Sequence, residues 1–268
     1  MKRINDQKFF TLVSTLLLLP IITIACNPVP KQETPTQTQT LSFTDTPTFT
    51  SSPLPTMTST STVTPDMTAT YSANATMVTA ERLKLIKPEL DLVGYPETGS
   101  ITWYQVDAIN IVPAKNQTLF YKTIDEKLIA GDFIFKTDIT WSATSLVFCG
   151  FNFRAGENIE KGNHYEFLFL RISGLPGWDI EYHEGDEFVS TITERIHFSD
   201  AMKTENNATN EFILVARGNQ FTVYINKIRQ GTFFDYGNKL TEGQFAFLAF
   251  EDSGASSCKY DNSWLWSY

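Results

Sequence analysis

The chain has 268 residues, a formal net charge of −9 and a sequence pI near 4.9. This acidic balance excludes partners that select for positive charge, because nucleic acid and anionic lipid surfaces would repel it. Three histidines and three cysteines are scattered through the length, and none falls in a metal-ligand or nucleophile motif.

The first element is at the amino terminus. Lys2, Arg3 and Lys8 precede an apolar run over 9–25 that stops at Cys26. A basic start, an apolar stretch and a small residue before a break read as a secretory signal, here residues 1–25. The run is shorter than the roughly 20 residues that span a bilayer, and Pro20 inside it disfavours a permanent helix. The segment Thr23-Ile24-Ala25-Cys26 resembles the lipobox of bacterial lipoproteins. That resemblance implies acylation of Cys26 and a chain lipid-anchored to a bacterial membrane, extracytoplasmic, in the cell envelope. An uncleaved signal anchor is the alternative, and both place the rest of the chain outside the cytoplasm.

Residues 26–89 read as a linker. Residues 27–80 hold 17 Thr, 6 Ser and 7 Pro, with only Lys31, Glu33, Asp45 and Asp66 charged. Such a segment buries too little apolar area to offset the entropy of ordering, so a disordered stalk is expected. As a flexible coil it reaches roughly 40 Å, and fully stretched about 160 Å. Alanine and charged residues become frequent near 66–86. A short helix is predicted there, ending before Pro88.

From residue 90 to 268 the pattern is that of one all-β domain. Aromatic and β-branched runs cover 101–106, 132–141, 146–154, 165–172, 178–183, 211–217, 221–225, 244–251 and 258–266, separated by Gly, Asn, Asp and Pro clusters. That spacing predicts a two-sheet antiparallel sandwich or jelly roll. The segments 165–170 and 245–250 are apolar on both parities. Their second faces are expected either to be covered or to form an aromatic surface.

Several strings carry a resemblance. Phe148-Cys149-Gly150-Phe151-Asn152-Phe153-Arg154, Tyr165-Glu166-Phe167-Leu168 with Arg171-Ile172, Gly177-Trp178, Phe221 to Asn226, Gly243 to Phe250, and Tyr260-Asp261-Asn262 with Trp264 occur in the order found in concanavalin A-like lectin/glucanase domains. The resemblance covers roughly residues 100–268 and implies a concanavalin A-like jelly roll. That superfamily includes laminin-G-like domains, lectins, glucanases and 3-keto-disaccharide hydrolase-like proteins, so the fold alone does not select a function. Asn226 is followed by Lys227 where the group has Gly.

Cys149 shares parity with Val147, Phe151 and Phe153. Cys258 shares parity with Tyr260, Trp264 and Trp266, so both cysteines are expected to point to the apolar side. Outside the cytoplasm two such cysteines are expected to bridge. The acid-rich stretch Glu184-Gly185-Asp186-Glu187 lacks the alternation that would aim three carboxylates into one cleft, and Gly185 signals a turn. In the preceding strand Asp179, Glu181 and His183 alternate and share one face. Trp178 follows a Gly-Leu-Pro-Gly turn and is expected at a sheet rim, as an aromatic that stacks on a sugar. No metal site is predicted. Calcium on Asp252, Asp261 and Asn262 is a lesser alternative to ordinary turns. The expected activity is recognition of a glycan or another extracellular polymer through Trp178, Asp179, Glu181 and His183, without catalysis. A sugar-active hydrolase with a divergent site and a structural envelope lipoprotein are the alternatives.

Overall fold

The computed structural model describes residues 67–95, 98–113, 118–143, 146–172, 175–251 and 256–268. The expected signal, Cys26, the expected stalk up to residue 66, and Asp252 lie outside the described residues.

Among the described residues one helix, α1 (Met67–Val93), precedes fourteen strands. In chain order these are β1 (Ser100–Tyr104), β2 (Ile109–Ile111), β3 (Thr118–Thr123), β4 (Phe133–Ala143), β5 (Val147–Ala155), β6 (His164–Ile172) and β7 (Leu175–Glu184). They continue with β8 (Glu187–Thr191), β9 (His197–Phe198), β10 (Thr209–Arg217), β11 (Gln220–Ile225), β12 (Ile228–Phe234), β13 (Gln244–Glu251) and β14 (Ser256–Ser267). Two seven-stranded sheets result. The first runs β1-β14-β4-β10-β11-β12, with β2 also on β14. The second runs β3-β13-β5-β6-β7-β8, with β9 also on β7. The named pairings are antiparallel throughout. This is the two-sheet jelly-roll sandwich that the strand pattern predicts.

Alternation explains the packing. Phe133, Phe135 and Trp141 of β4, Phe151 and Phe153 of β5, Phe167 and Phe169 of β6, and Phe245 and Phe247 of β13 all face the shared core. Their rings meet edge-on or stacked across the gap, as between Phe135 and Phe151 at 4.6 Å and Phe169 and Phe212 at 4.2 Å, geometries that add to area burial. Cys149 and Cys258 are bridged, joining β5 of one sheet to β14 of the other. Tyr260 adds a polar link, donating its hydroxyl to the Leu248 carbonyl and accepting from the Gly150 amide. Arg154 is also structural: it is buried and donates to the carbonyls of Gly131 and Leu240.

Two local expectations are corrected. Helix α1 does not stop before Pro88 but continues to Val93. Ile86 and Leu90, one turn apart on either side of the proline, are buried with Ile134, Ile213, Val215, Trp264 and Trp266 on the outer face of the first sheet. That burial outweighs the roughly 3 kcal/mol cost of an interior proline. The packed unit therefore begins before residue 90. In β14 a register shift between Asp261 and Trp264, with Asn262 at φ 48°, inverts the alternation. Cys258 and Tyr260 face the core, while Trp264 and Trp266 face α1. The β11–β12 hairpin keeps its turn without the glycine, on Asn226 and Lys227, at φ 48° and 68°. Lys227 thus takes the left-handed conformation that glycine adopts more easily.

Candidate functional site

The chemistry gathers on the outer face of the second sheet and at its open edge. In β6 the residues Tyr165, Phe167 and Phe169 enter the core, so His164, Glu166, Leu168 and Leu170 face out. In β7 the residues Trp178, Ile180 and Tyr182 enter the core, so Asp179, Glu181 and His183 face out. The antiparallel register sets His164 opposite His183, Glu166 opposite Glu181 and Leu168 opposite Asp179. Asn152 of β5 stands opposite Glu166 on its other side, and Thr191 of β8 opposite Glu181. Four adjacent strands therefore build one polar band.

Within the band His183 Nε2 lies 2.9 Å from Glu181 Oε2 and 3.7 Å from Glu166 Oε2. Tyr121 donates its hydroxyl to Glu166 Oε1 at 2.9 Å, and His164 Nε2 lies 3.3 Å from the same oxygen. His164 Nδ1 donates to the Gly162 carbonyl at 2.9 Å. The two imidazoles stack at 5.2 Å with planes 7° apart. Asn152 is fully buried, and both its amide atoms lack a hydrogen-bond partner. Burial pushes the Glu181 carboxyl above its ordinary range, against the bond from His183. Burial works to lower the His183 imidazole, but its bond to Glu181 and the charge of Glu166 outweigh this and hold it raised. Asp179 is raised chiefly by burial, opposed by bonds from the Thr191 and Thr193 hydroxyls and the Ile180 amide.

Beyond the band the same face turns apolar. Leu168, Leu170 and Leu248 are buried, and Phe148 stacks on Phe250 at 5.0 Å. The strands that are apolar on both parities thus have their second faces largely covered.

At the sandwich edge, residues of β8 and the segment after it face β12 and the segment after it across a groove of about 720 Å³. Arg195 and Glu194 line one wall, and Phe234 and Tyr236 the other. Tyr236 is 88% exposed and stacks on Phe234 at 6.0 Å. Its loop is pinned by buried Asp235, whose carboxylate accepts from the Tyr165 hydroxyl and from the amides of Gly237 and Lys239. Thr191 and Thr193, which also line the groove, bond Asp179 and so tie this wall to β7.

Of the expected ligand-binding residues, Asp179, Glu181 and His183 do share a face. Trp178 does not join them. It is 1% exposed and packs in the core against Phe167, His197 and Phe233. The reason is geometric: neighbours in a strand point to opposite faces, so Trp178 and Asp179 cannot line one surface. Tyr121, Asn152, His164 and Glu166 are the members that sequence reading misses, although the β6–β7 register would have found two of them, His164 and Glu166. The Phe233-Phe234-Asp235-Tyr236-Gly237 string, aromatics running into a turn, is the overlooked signal for the groove. Gly185, at φ 63°, sits in the β7–β8 hairpin turn, so Glu184, Asp186 and Glu187 form no aligned carboxylate row. Asp261 pairs with Lys259 at 3.1 Å, and Asn262 donates to Asp138 at 2.9 Å.

No family model matches the chain, and no curated protein sequence matches it. Among solved structures, the carbohydrate binding module CBM66 from Bacillus subtilis is similar at a TM-score of 0.45 and 17% identity, over 63% of this chain and 98% of that one. A Bacillus subtilis protein of unknown function with a galectin-like fold is similar at 0.45 and 12% identity, over 62% and 85%. The beta-glucanase of Bacillus licheniformis is similar at 0.40 and 10% identity, over 53% and 69%.

Proposed function

We propose that the domain recognises a saccharide in the edge groove and holds it without cleaving it, and that the chain works outside the cytoplasm, tethered at Cys26. The observation that carries the binding reading is Tyr236: a large ring, 88% exposed, backed by Phe234 and held by the buried Asp235 anchor beside a polar groove. An ordered, exposed ring offers the apolar face of a sugar a platform at little entropic cost, while Arg195 and Glu194 supply directional polar contacts. Cleavage would require two carboxyl groups opposed across the scissile bond, about 5–5.5 or 6.5–9.5 Å apart. Glu166 and Glu181 instead stand side by side on one sheet face, both within reach of the same imidazole, with Glu166 almost fully buried.

The test is a glycan-array screen of the chain, followed by calorimetric titration of the best hit. Tyr236→Ala is expected to weaken binding by about tenfold, the worth of one aromatic stacking contact, while Tyr236→Phe binds as the parent does. Equal binding by Tyr236→Ala refutes the groove. Release of sugar products that is lost in Glu181→Gln replaces this reading with the hydrolase alternative.

A further inference from the structure

We infer that Glu166, Glu181 and His183, with His164 beside them, form a binding site for one divalent transition-metal ion of the zinc class. Among the described residues, one donor atom from each of the first three falls within 4.8 Å of the others. Zinc bonds of about 2.0–2.2 Å in a tetrahedral shell place neighbouring donors roughly 3.3–3.6 Å apart. The separations from His183 Nε2, 2.9 Å to Glu181 and 3.7 Å to Glu166, bracket that spacing. Small side-chain adjustments suffice to close the shell around an ion.

The surroundings fit the same purpose. The donors come from two strands in fixed register, which holds them more tightly than loops would. Tyr121 occupies Glu166 Oε1 and leaves Oε2 turned to His183. His164 gives its Nδ1 proton to a backbone carbonyl, which fixes the ring and turns Nε2 toward Glu166. This is the arrangement by which proteins orient imidazole ligands. Asp179 and Asp186 add negative charge close by.

Asn152 provides the independent sign. It is fully buried directly across from Glu166, with no well-formed bond to either amide atom, although the Tyr121 hydroxyl lies close enough to interact with it. Buried polar groups are nearly always satisfied. A self-contained ion-pair network leaves the Asn152 amide oxygen without a partner. An ion at Glu166 brings a water or an open coordination position that this amide can satisfy. Zinc would take the place of the Nε2 proton that His183 now gives to Glu181. Imidazole with carboxylates suits zinc over calcium or magnesium, which prefer all-oxygen shells.

The experiment strips the full chain with a chelator and titrates it with zinc chloride, then with cobalt chloride, with no saccharide present. Its outcome is therefore separate from that of the groove. One zinc per chain and a cobalt visible spectrum of low-coordinate type are expected. His183→Ala and Glu181→Gln should each weaken binding by more than the roughly 10–100-fold that loss of an outer partner of a ligand costs. Glu181→Gln is nearly isosteric and at a partly exposed position, so it keeps the test valid if His183→Ala misfolds. Absence of stoichiometric zinc and cobalt binding, or undiminished binding in Glu181→Gln, overturns the site.

Discussion

Replacing Leu90 with alanine tests whether α1 belongs to the folded domain. Leu90 is fully buried against the outer face of the first sheet, in the cluster with Ile86, Ile134, Trp264 and Trp266. The substitution deletes three carbons, and at about 0.8 kcal/mol each the transfer loss is about 2.4 kcal/mol. The β-sheet floor under the helix cannot collapse fully, so a cavity contribution brings the expected cost to about 2.5–4 kcal/mol. With a urea dependence of about 2 kcal/mol per molar, the unfolding midpoint should fall by about 1–2 M with an unchanged slope. Trp264 and Trp266 pack in this cluster, so their fluorescence reports the helix contact, and far-ultraviolet circular dichroism reports the sheets. Leu85 is 67% exposed on the same helix, and its alanine variant should stay within about 0.5 kcal/mol of the parent. If both variants unfold with the parent, the helix is not docked and the sandwich is complete without it.

Two further outcomes follow from named bonds. The Cys149–Cys258 bridge closes a loop of sequence separation 109, so reduction or the Cys149→Ala/Cys258→Ala variant should cost about 4–5 kcal/mol in the same urea assay; an unchanged midpoint, or two alkylatable thiols in the non-reduced digest, contradicts it. For the tether, Cys26→Ser should appear in the soluble fraction or as unprocessed precursor when membranes are separated by centrifugation, and a fully processed, membrane-bound variant removes the lipid-anchor reading.

The parts of the fold legible in the sequence are those where one strand's own alternation decides the outcome. Phe151, Phe153 and Cys149 share a parity, and so do Ile180 and Tyr182; each set does enter the core. What a single strand cannot announce is an irregularity in pairing. Nothing in Tyr260-Asp261-Asn262-Ser263-Trp264 declares that two tryptophans leave the core side, because the bulge is a property of β14 against β4. The helix end is hidden from the sequence for a similar reason. Pro88 disfavours a helix locally, but Ile86 and Leu90 gain their burial from residues more than forty positions downstream.

The polar band carries the same lesson to the site. Read alone, His164 and Glu166 are unremarkable members of an aromatic strand, and Glu181 and His183 are the wet face of another. Their chemistry exists only in the pairing, since one hairpin register sets the two imidazoles face to face and the two carboxylates side by side. The groove is different, because its aromatic string is visible in the sequence, as Trp178 is. Trp178 lies on the core parity of β7, where its ring fills space between Phe167 and Phe233. Tyr236 follows the last residues of β12, and there the stacking on Phe234 and the Asp235 anchor determine where the ring stands. For a chain with this many aromatic residues, strand parity therefore decides which rings enter the core, and the most exposed ring is one that lies past the last residue of its strand.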